Sequence, residues 1–229
     1  MRKFVFTLFF FCIALLPLFS LDDAQAVKVS AKNVWTIIID PAHGGVDPGA
    51  IGHHTINGDE VTFLEKDMTL QIALILKEKI AKILPDMNVI LTRNDDIYLS
   101  LEDRMAQANT ATLGNGGLSI FVSIHMNGSY TQSTRGYQFY VPLTGYNANN
   151  IALAERVSLE FNYMFGNEFP CLGIVKENTY MPDNGPLALL AELGFITNPK
   201  DIILLHSEQG LEKCATALAF GIASYIVSF

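Results

Sequence analysis

Four side chains of types that bind metals or move protons are spread along the chain: His43, Glu65, His125 and Glu192. Catalytic zinc sites use a few nitrogen and carboxylate ligands and keep one coordination position open. Two histidines and one glutamate, His43, His125 and Glu65, would form such a set. The ion would then lower the pKa of a water molecule toward ~7 and polarise a substrate carbonyl. These residues therefore predict a hydrolytic metal site.

Glu192 is the candidate for proton transfer, because it interrupts the apolar stretch LALLAELGFI. An ionisable side chain is unfavourable there unless it is paired or has a chemical role. As a carboxylate outside the metal's ligand set, it could take the proton of the water and pass it to a leaving nitrogen. Structural alternatives stay open for all of these residues. A histidine after a strand is often structural, and a glutamate at the start of a helix is stabilised by the helix dipole. A glutamate within a strand often pairs with an arginine.

The hydrophobic pattern predicts alternating strands and helices around these residues. Strands are expected at 34–40, 88–92, 118–124, 136–141 and 187–193. Helices are expected at 65–84, 99–113, 147–165, 199–205 and 210–226. A Gly-rich loop is expected from Pro41 to about Asp59. This alternation predicts an α/β fold: a single domain with a mostly parallel twisted sheet and helices on both faces.

The predicted topology brings the candidate residues to one edge of the sheet. In open α/β sheets, functional sites lie beyond the carboxyl ends of the strands. His43 follows the first predicted strand, His125 follows the third, and Glu192 lies near the end of a late strand. Glu65 opens the first long helix, from which its carboxylate can face the same edge.

Six segments carry a resemblance to a known family. They are IIDPAHGGVDPGAIG, EKD, LTR, LEDRMAQAN, FVSIHMN and LALLAELGFITN, which begin at residues 38, 65, 91, 101, 121 and 187. In this order and spacing they cover nearly all of residues 34–227. The sequence resembles the zinc-dependent N-acetylmuramoyl-L-alanine amidases of amidase type 3, which are peptidoglycan hydrolases with an α/β domain.

The resemblance implies zinc as the cofactor, bound by His43, Glu65 and His125, with Glu192 as the catalytic carboxylate. It implies hydrolysis of the amide between the lactyl group of N-acetylmuramic acid and the first L-alanine of the stem peptide, in cell-wall remodelling or daughter-cell separation. Peptidoglycan is then the partner, and an activator protein is not identified by the sequence. Two alternatives stay open: a zinc peptidase that acts on wall peptides, and a wall-binding protein with a dead site.

Neighbouring residues have expected supporting roles. Asp40 either accepts the second ring proton of His43 or caps the loop. His53 and His54 lie in the same loop as His43, and we interpret them as exposed loop histidines rather than extra ligands. Two arginines, Arg93 and Arg104, are interpreted as structural salt-bridge formers, and His206 as a helix cap.

Residues 1–26 have the pattern of a secretory signal peptide, with Arg2 and Lys3 before an apolar run at 4–21 and Ala-Gln-Ala at 24–26. Residues 27–229 would then form the catalytic domain. The alternative is an uncleaved anchor, since 18 apolar residues span roughly 27 Å as a helix. Export predicts a location in the periplasm or at the cell wall, and no second membrane-spanning run is expected.

Composition excludes several classes of protein. The chain has 229 residues, 15 Lys and Arg against 23 Asp and Glu, a net charge of −8, and 50% hydrophobic residues. Such a composition is not that of a disordered chain, and its acidity argues against a nucleic-acid partner. After signal cleavage only Cys171 and Cys214 remain, and we expect a free, buried Cys214 rather than a disulfide.

Overall fold

The structure is a computed structural model that describes residues 34–114, 118–145, 147–177, 181–182 and 185–228. The predicted signal peptide at residues 1–26 lies outside the described residues, as does the short lead that follows it. The fold is therefore given from Val34 onward.

Among the described residues, eight strands form two sheets. They are β1 (Thr36–Pro41), β2 (Ile51–Ile56), β3 (Asp59–Leu64), β4 (Asn88–Leu91), β5 (Ser119–Asn127), β6 (Tyr137–Pro142), β7 (Cys171–Glu177) and β8 (Leu187–Phe195). Six of them form one mixed sheet in the order β4-β1-β5-β8-β6-β7, and β2 pairs with β3. The β4, β1, β5 and β8 strands are mutually parallel, and β6 runs antiparallel to β8 and parallel to β7. The predicted α/β domain with a mostly parallel sheet is confirmed.

Five α-helices in the described part of the chain cover the large sheet. They are α1 (Glu65–Ile83), α2 (Leu101–Gly114), α3 (Asn147–Phe165), α4 (Pro199–Leu205) and α5 (Glu208–Val227). Side chains alternate between the two faces of a strand. Ile37 and Ile39 of β1 therefore pack in the main core with α1, α3 and α5, whereas Ile38 packs with Phe121 and with Ala108 of α2. Helices thus lie on both faces, as predicted.

The sequence predicted no second run that could span a membrane, but α5 is long and apolar enough to do so. By length and composition alone it is apolar enough to cross a bilayer, but 72% of its most apolar stretch is buried inside the fold. It packs against α1 and α3 as the central helix of the core. Its hydrophobicity is therefore accounted for by burial.

Two strand regions were not predicted. The segment expected to be a Gly-rich loop contains β2 and the turn of the β2–β3 hairpin, where Asn57 and Gly58 have φ of 55° and 95°, and β3 follows it. An Asn-Gly pair with positive φ at both positions is the preferred two-residue hairpin turn, so the sequence did contain the signal. The second is the edge strand β7, which has a short and irregular apolar pattern.

The cysteines confirm the expectation for Cys214. Both cysteines in the described part of the chain are free, Cys214 buried within α5 and Cys171 exposed on β7. Burial raises the pKa of the Cys214 thiol, which is therefore inert at neutral pH. The two residues do not form a disulfide.

Candidate metal centre

The three predicted ligands converge at one end of the sheet. One nitrogen or oxygen atom from each of His43, Glu65 and His125 lies within 4.8 Å of the others. Nε2 of His43 is 3.2 Å from Oε1 of Glu65, and Nδ1 of His125 is 3.1 Å from the same oxygen. Two imidazoles and one carboxylate form a donor set that fits a metal ion and leaves a coordination position for a further ligand.

Each ligand comes from a different element. His43 lies two residues after the end of β1, Glu65 is the first residue of α1, and His125 lies within β5, which extends two residues beyond it. The sequence predicted that this strand would end before His125. The longer strand has a consequence for His125, because its side chain direction is set by the pleat of the sheet rather than by a loop.

Glu65 is held by backbone amides as well as by the histidines. The N–H of Ala50 donates to Oε2 at 2.7 Å, and the N–H of Met126 donates to Oε1 at 2.9 Å. Gly49 allows this approach, because a Cβ at Gly49 would lie 2.5 Å from Oε2 of Glu65 and 2.6 Å from Cδ2 of His43. Its φ of 66° also lies in the left-handed region. Only glycine fits beside these two ligands.

Of the two roles considered for Asp40, acceptance of the second ring proton of His43 is not the one found. Asp47 has this role instead, with Oδ2 2.7 Å from Nδ1 of His43. A carboxylate there favours a proton on Nδ1 and leaves the lone pair of Nε2 free for a metal. Asp47 is the supporting residue that sequence reasoning missed, although it lies only four positions after the ligand. The Asp-Pro-Gly segment that contains it was the available signal.

Asp40 has a different role, as an acceptor beneath the site. Its carboxylate accepts hydrogen bonds from Thr92 at 2.6 Å, Arg104 at 2.6 Å and Ser123 at 2.7 Å. Both members of the Asp40–Arg104 ion pair are buried. The interpretation of Arg104 as a structural salt-bridge residue is therefore confirmed.

Two buried arginines hold the backbone that presents His43. Arg93 donates to the carbonyls of Pro41 at 2.9 Å and Ala42 at 2.8 Å, while Arg104 donates to those of Pro41 at 2.8 Å and His43 at 2.6 Å. His43 has a φ of 59°, which is uncommon for a non-glycine residue. The arginines therefore stabilise a strained conformation at the ligand. Arg93 acts through carbonyls rather than through the expected salt bridge.

Glu192 lies beside the ligands. It is directly paired with His125 in the parallel register of β5 and β8. Its Oε2 is buried and has no hydrogen-bond partner among the described residues, so the arginine pairing considered for it is not found there. Burial raises the pKa of Glu192 to about 7, a shift that the charge of His125 opposes and the charge of Glu65 increases. A carboxyl with this pKa can both accept and donate a proton near neutral pH.

The ligands have strongly coupled charges. Burial opposes ionisation of Glu65, but its hydrogen bonds to His125 and His43 outweigh burial and lower its pKa to about 2. Burial also disfavours the imidazolium of His43, but Glu65 and Asp47 raise its pKa to about 9. The pKa of His125 is raised against burial by Glu65 and Glu192. In the absence of a metal, protons on the histidines balance the carboxylates at this site.

The other histidines lie outside the ligand cluster. His53 and His54 belong to β2 rather than to a loop, and they bond Thr62 at 3.0 Å and the carbonyl of Ile196 at 2.8 Å. Only His53 is exposed as expected, since His54 is partly buried. Nδ1 of His206 is 2.8 Å from the carbonyl of Ile202, which confirms that His206 caps α4.

Comparisons with known proteins agree with this fold and identify the family. The sequence model of the N-acetylmuramoyl-L-alanine amidase family matches residues 37–224. N-acetylmuramoyl-L-alanine amidase LytC of Bacillus subtilis is 32% identical over 193 residues, which are 83% of this chain and 35% of LytC. The chain therefore spans about a third of that relative.

Solved structures give the same result. The N-acetylmuramoyl-L-alanine amidase from Clostridium difficile 630 has a TM-score of 0.73 and 30% identity, over 86% of this chain and 98% of that chain. The CwlD amidase from Clostridioides difficile, solved in complex with the GerS lipoprotein, has a TM-score of 0.68 and 29% identity, over 85% of this chain and 99% of that chain. The chain belongs to the N-acetylmuramoyl-L-alanine amidase family.

Proposed function

We propose that this protein is a zinc-dependent amidase that cleaves the bond between N-acetylmuramic acid and L-alanine in peptidoglycan. The single observation that carries the proposal is the convergence of His43, Glu65 and His125, with the buried Oε2 atom of Glu192 beside them and without a hydrogen-bond partner among the described residues. Membership of the amidase family supports peptidoglycan as the substrate class.

The proposed metal is zinc, bound by His43, Glu65 and His125. Zinc favours imidazole nitrogen and carboxylate oxygen in sets of three protein ligands when a site is catalytic. When bound, zinc supplies Lewis-acid chemistry, since it polarises a carbonyl and makes water more acidic. The hydrogen bonds of Glu65 to backbone amides and of His43 to Asp47 keep these metal-binding side chains oriented for the ion.

Glu192 is the proposed catalytic acid and base. As a carboxylate it takes a proton from the attacking water, and as a carboxylic acid it gives that proton to the leaving nitrogen of L-alanine. Burial of its Oε2 favours this exchange, because no protein donor among the described residues competes for the atom. Asp47, whose carboxylate lies 2.7 Å from Nδ1 of His43, orients the ring of this ligand.

The proposed location is outside the cytoplasmic membrane, in the periplasm or at the cell wall. Peptidoglycan lies there, and residues 1–26 have the pattern of a secretory signal. The CwlD relative is solved in complex with the GerS lipoprotein. A lipoprotein or similar activator is therefore a partner class to include when the purified protein is tested.

The decisive experiment is mass spectrometry of muropeptides after digestion, with the metal content of the protein measured in parallel. We expect release of stem peptides with a free L-alanine amine, loss of this product in chelator, and recovery with zinc. The Glu192→Gln variant should bind zinc but lose activity by a factor of about 10² or more, the usual minimum contribution of a general acid or base.

Other outcomes would contradict the proposal. Cleavage inside the peptide would indicate a zinc peptidase with the same ligands. A protein that purifies without metal and shows no hydrolysis, with or without a lipoprotein activator, would indicate a wall-binding protein with a dead site. Full activity of Glu192→Gln would remove Glu192 from the reaction. Exposed Glu102 on α2 provides the matched control, since Glu102→Gln should leave both product release and zinc content unchanged.

A further inference from the structure

A row of three side chains crosses the sheet at the candidate metal centre. The parallel register pairs His125 of β5 with Glu192 of β8, and the antiparallel register pairs the same Glu192 with Gln138 of β6. Residues directly opposite one another on neighbouring strands share a face of the sheet. Since strands lie about 4.8 Å apart, Gln138 is one strand farther from the metal ligands than Glu192.

The face that carries Gln138 is accessible. The α2 helix packs over β1 and β5 on this face, whereas α3 packs on β6 from the opposite face. Gln138, Tyr140 and Leu190 are accordingly only partly buried, while Phe139, whose side chain points to the α3 face, is fully buried. A ligand at the metal can therefore extend over β8 and β6.

Gln138 and Tyr140 form an ordered pair on this face. The hydroxyl of Tyr140 donates to Oε1 of Gln138 at 2.9 Å. Burial, with the carboxylates of Glu192 and Glu177, raises the pKa of Tyr140, so its hydroxyl stays protonated and can donate. With Oε1 occupied, the amide Nε2 of Gln138 presents its two N–H donors to a ligand. No acceptor for Nε2 is found in the part of the chain that the structure describes.

We propose that Gln138 binds the substrate, by donating from Nε2 to the stem-peptide carbonyl nearest the scissile amide. Tyr140 is a positioning residue that holds the Gln138 amide in the donating orientation. Leu190 and Val175, which are in register with Tyr140 on neighbouring strands, provide apolar surface beside it. An amide donor next to apolar side chains suits a peptide carbonyl and an alanine methyl, whereas a sugar needs several polar partners for its hydroxyls. This inference rests on the proposed function.

Calorimetric titration of the zinc-loaded protein with two fragments tests the inference. One fragment is a synthetic stem peptide that begins with L-alanine, and the other is N-acetylmuramic acid. Gln138→Ala should weaken peptide binding about three- to tenfold, as expected for one lost hydrogen bond. It should leave binding of N-acetylmuramic acid within about twofold.

Tyr140→Phe should weaken peptide binding in the same direction by a smaller factor, because the ring remains while the hydroxyl is lost. The double variant should bind no more weakly than Gln138→Ala alone, since Tyr140 acts through Gln138. In steady-state assays both variants should raise KM with little change in kcat. Gln71→Ala on α1 and Tyr163→Phe on α3 are the matched controls, because both side chains are exposed.

Peptide affinity of Gln138→Ala equal to that of the unmodified protein would overturn the inference. Loss of N-acetylmuramic acid binding instead of peptide binding would do so too, as would a fall in kcat with unchanged peptide affinity. If Gln138→Ala fails to fold, Gln138→Asn keeps the amide but withdraws it by one methylene and should show the same weaker peptide binding.

Failure of this inference is separable from failure of the proposed function, since fragment binding requires no turnover. If peptide binding depends on Gln138 but the protein releases no L-alanine amine, the peptide-binding role of Gln138 is supported and the proposed amidase activity is overturned. If the protein has amidase activity but its peptide affinity does not change in Gln138→Ala, the proposed function is supported and the role of Gln138 is overturned.

Discussion

At the scale of single residues, the candidate site depends on small groups that place the ligands. Gly49 contributes no side chain, and that absence lets Glu65 and His43 approach each other. Asp47 contributes one carboxylate, which fixes the ring of His43 through Nδ1. Both residues lie within six positions of His43, so a short segment supplies one ligand and much of its support.

Asp47 gives a testable prediction at this scale. Asp47→Ala should weaken zinc binding roughly tenfold or more, because a supporting carboxylate orients a ligating histidine and raises its basicity. Asp47→Asn should lose less zinc affinity than Asp47→Ala, since its amide oxygen can still accept a hydrogen bond from Nδ1 of His43. Competition with a chromophoric chelator measures these affinities, with exposed Asp86→Ala as the control. Zinc affinity of Asp47→Ala equal to that of the unmodified protein would show that the hydrogen bond has no part in metal binding.

At the scale of elements, the candidate ligands lie at the ends of β1, β5 and α1. Helix α2 supports them through the side chain of Arg104. Arg104 reaches from α2 to the backbone after β1, and Arg93 reaches there from just beyond β4. The two side chains connect α2 and the end of β4 to the backbone after β1, where His43 adopts its strained φ of 59°. Precision at the ligand therefore comes from contacts between elements, in addition to the loop itself.

Removal of Arg104 tests this arrangement. Arg104→Ala leaves the Asp40 carboxylate buried without its cation, so we expect a loss of about 3–5 kcal/mol in the unfolding free energy, as for other broken buried pairs. It should also weaken zinc binding, because His43 loses the donor to its carbonyl. Urea denaturation of the metal-free protein measures the first effect, with exposed Arg156→Ala as the control. A loss below about 1 kcal/mol would contradict the role assigned to Arg104.

At the scale of the whole molecule, the candidate site makes stability depend on pH and metal. In the metal-free protein the pKa of His43 is about 9 against an ordinary 6.5, so its stabilising contribution is complete below pH 6.5 and is lost as pH rises through about 9. Glu65, with a pKa of about 2 against 4.5, contributes fully above pH 4.5 and loses this as pH falls through about 2. The raised pKa of Glu192 also reduces stability at higher pH.

We therefore expect the chelated protein to lose unfolding free energy as pH rises from about 6.5 to 9, as measured by urea denaturation. The His43→Ala variant should show a smaller decline. Zinc should reverse the trend, because its ligands must be deprotonated and bound metal stabilises the folded state. Stability of the chelated protein that increases toward pH 9 would contradict the charges assigned to this site.

The sequence by itself determined the order of most elements and the four candidate side chains. Apolar runs and helical spacing predicted the strands and helices because burial on one or two faces imposes those periods. The same reasoning missed two edge features. It did not predict β7, an edge strand with a weak and irregular apolar pattern. It also treated β2 and its Asn-Gly turn as a loop and did not predict β3. Local patterns predicted an element correctly where its own apolar residues face the core at a regular spacing.

Only the tertiary structure decided which groups meet. Asp47, and not Asp40, lies at the ring of His43. Arg93 donates to backbone carbonyls and does not form the expected salt bridge, and Gln138 lies opposite Glu192. These partnerships depend on strand register and on loop backbone angles. Both are set by packing of residues distant in sequence, so neither composition nor spacing along the chain contains them.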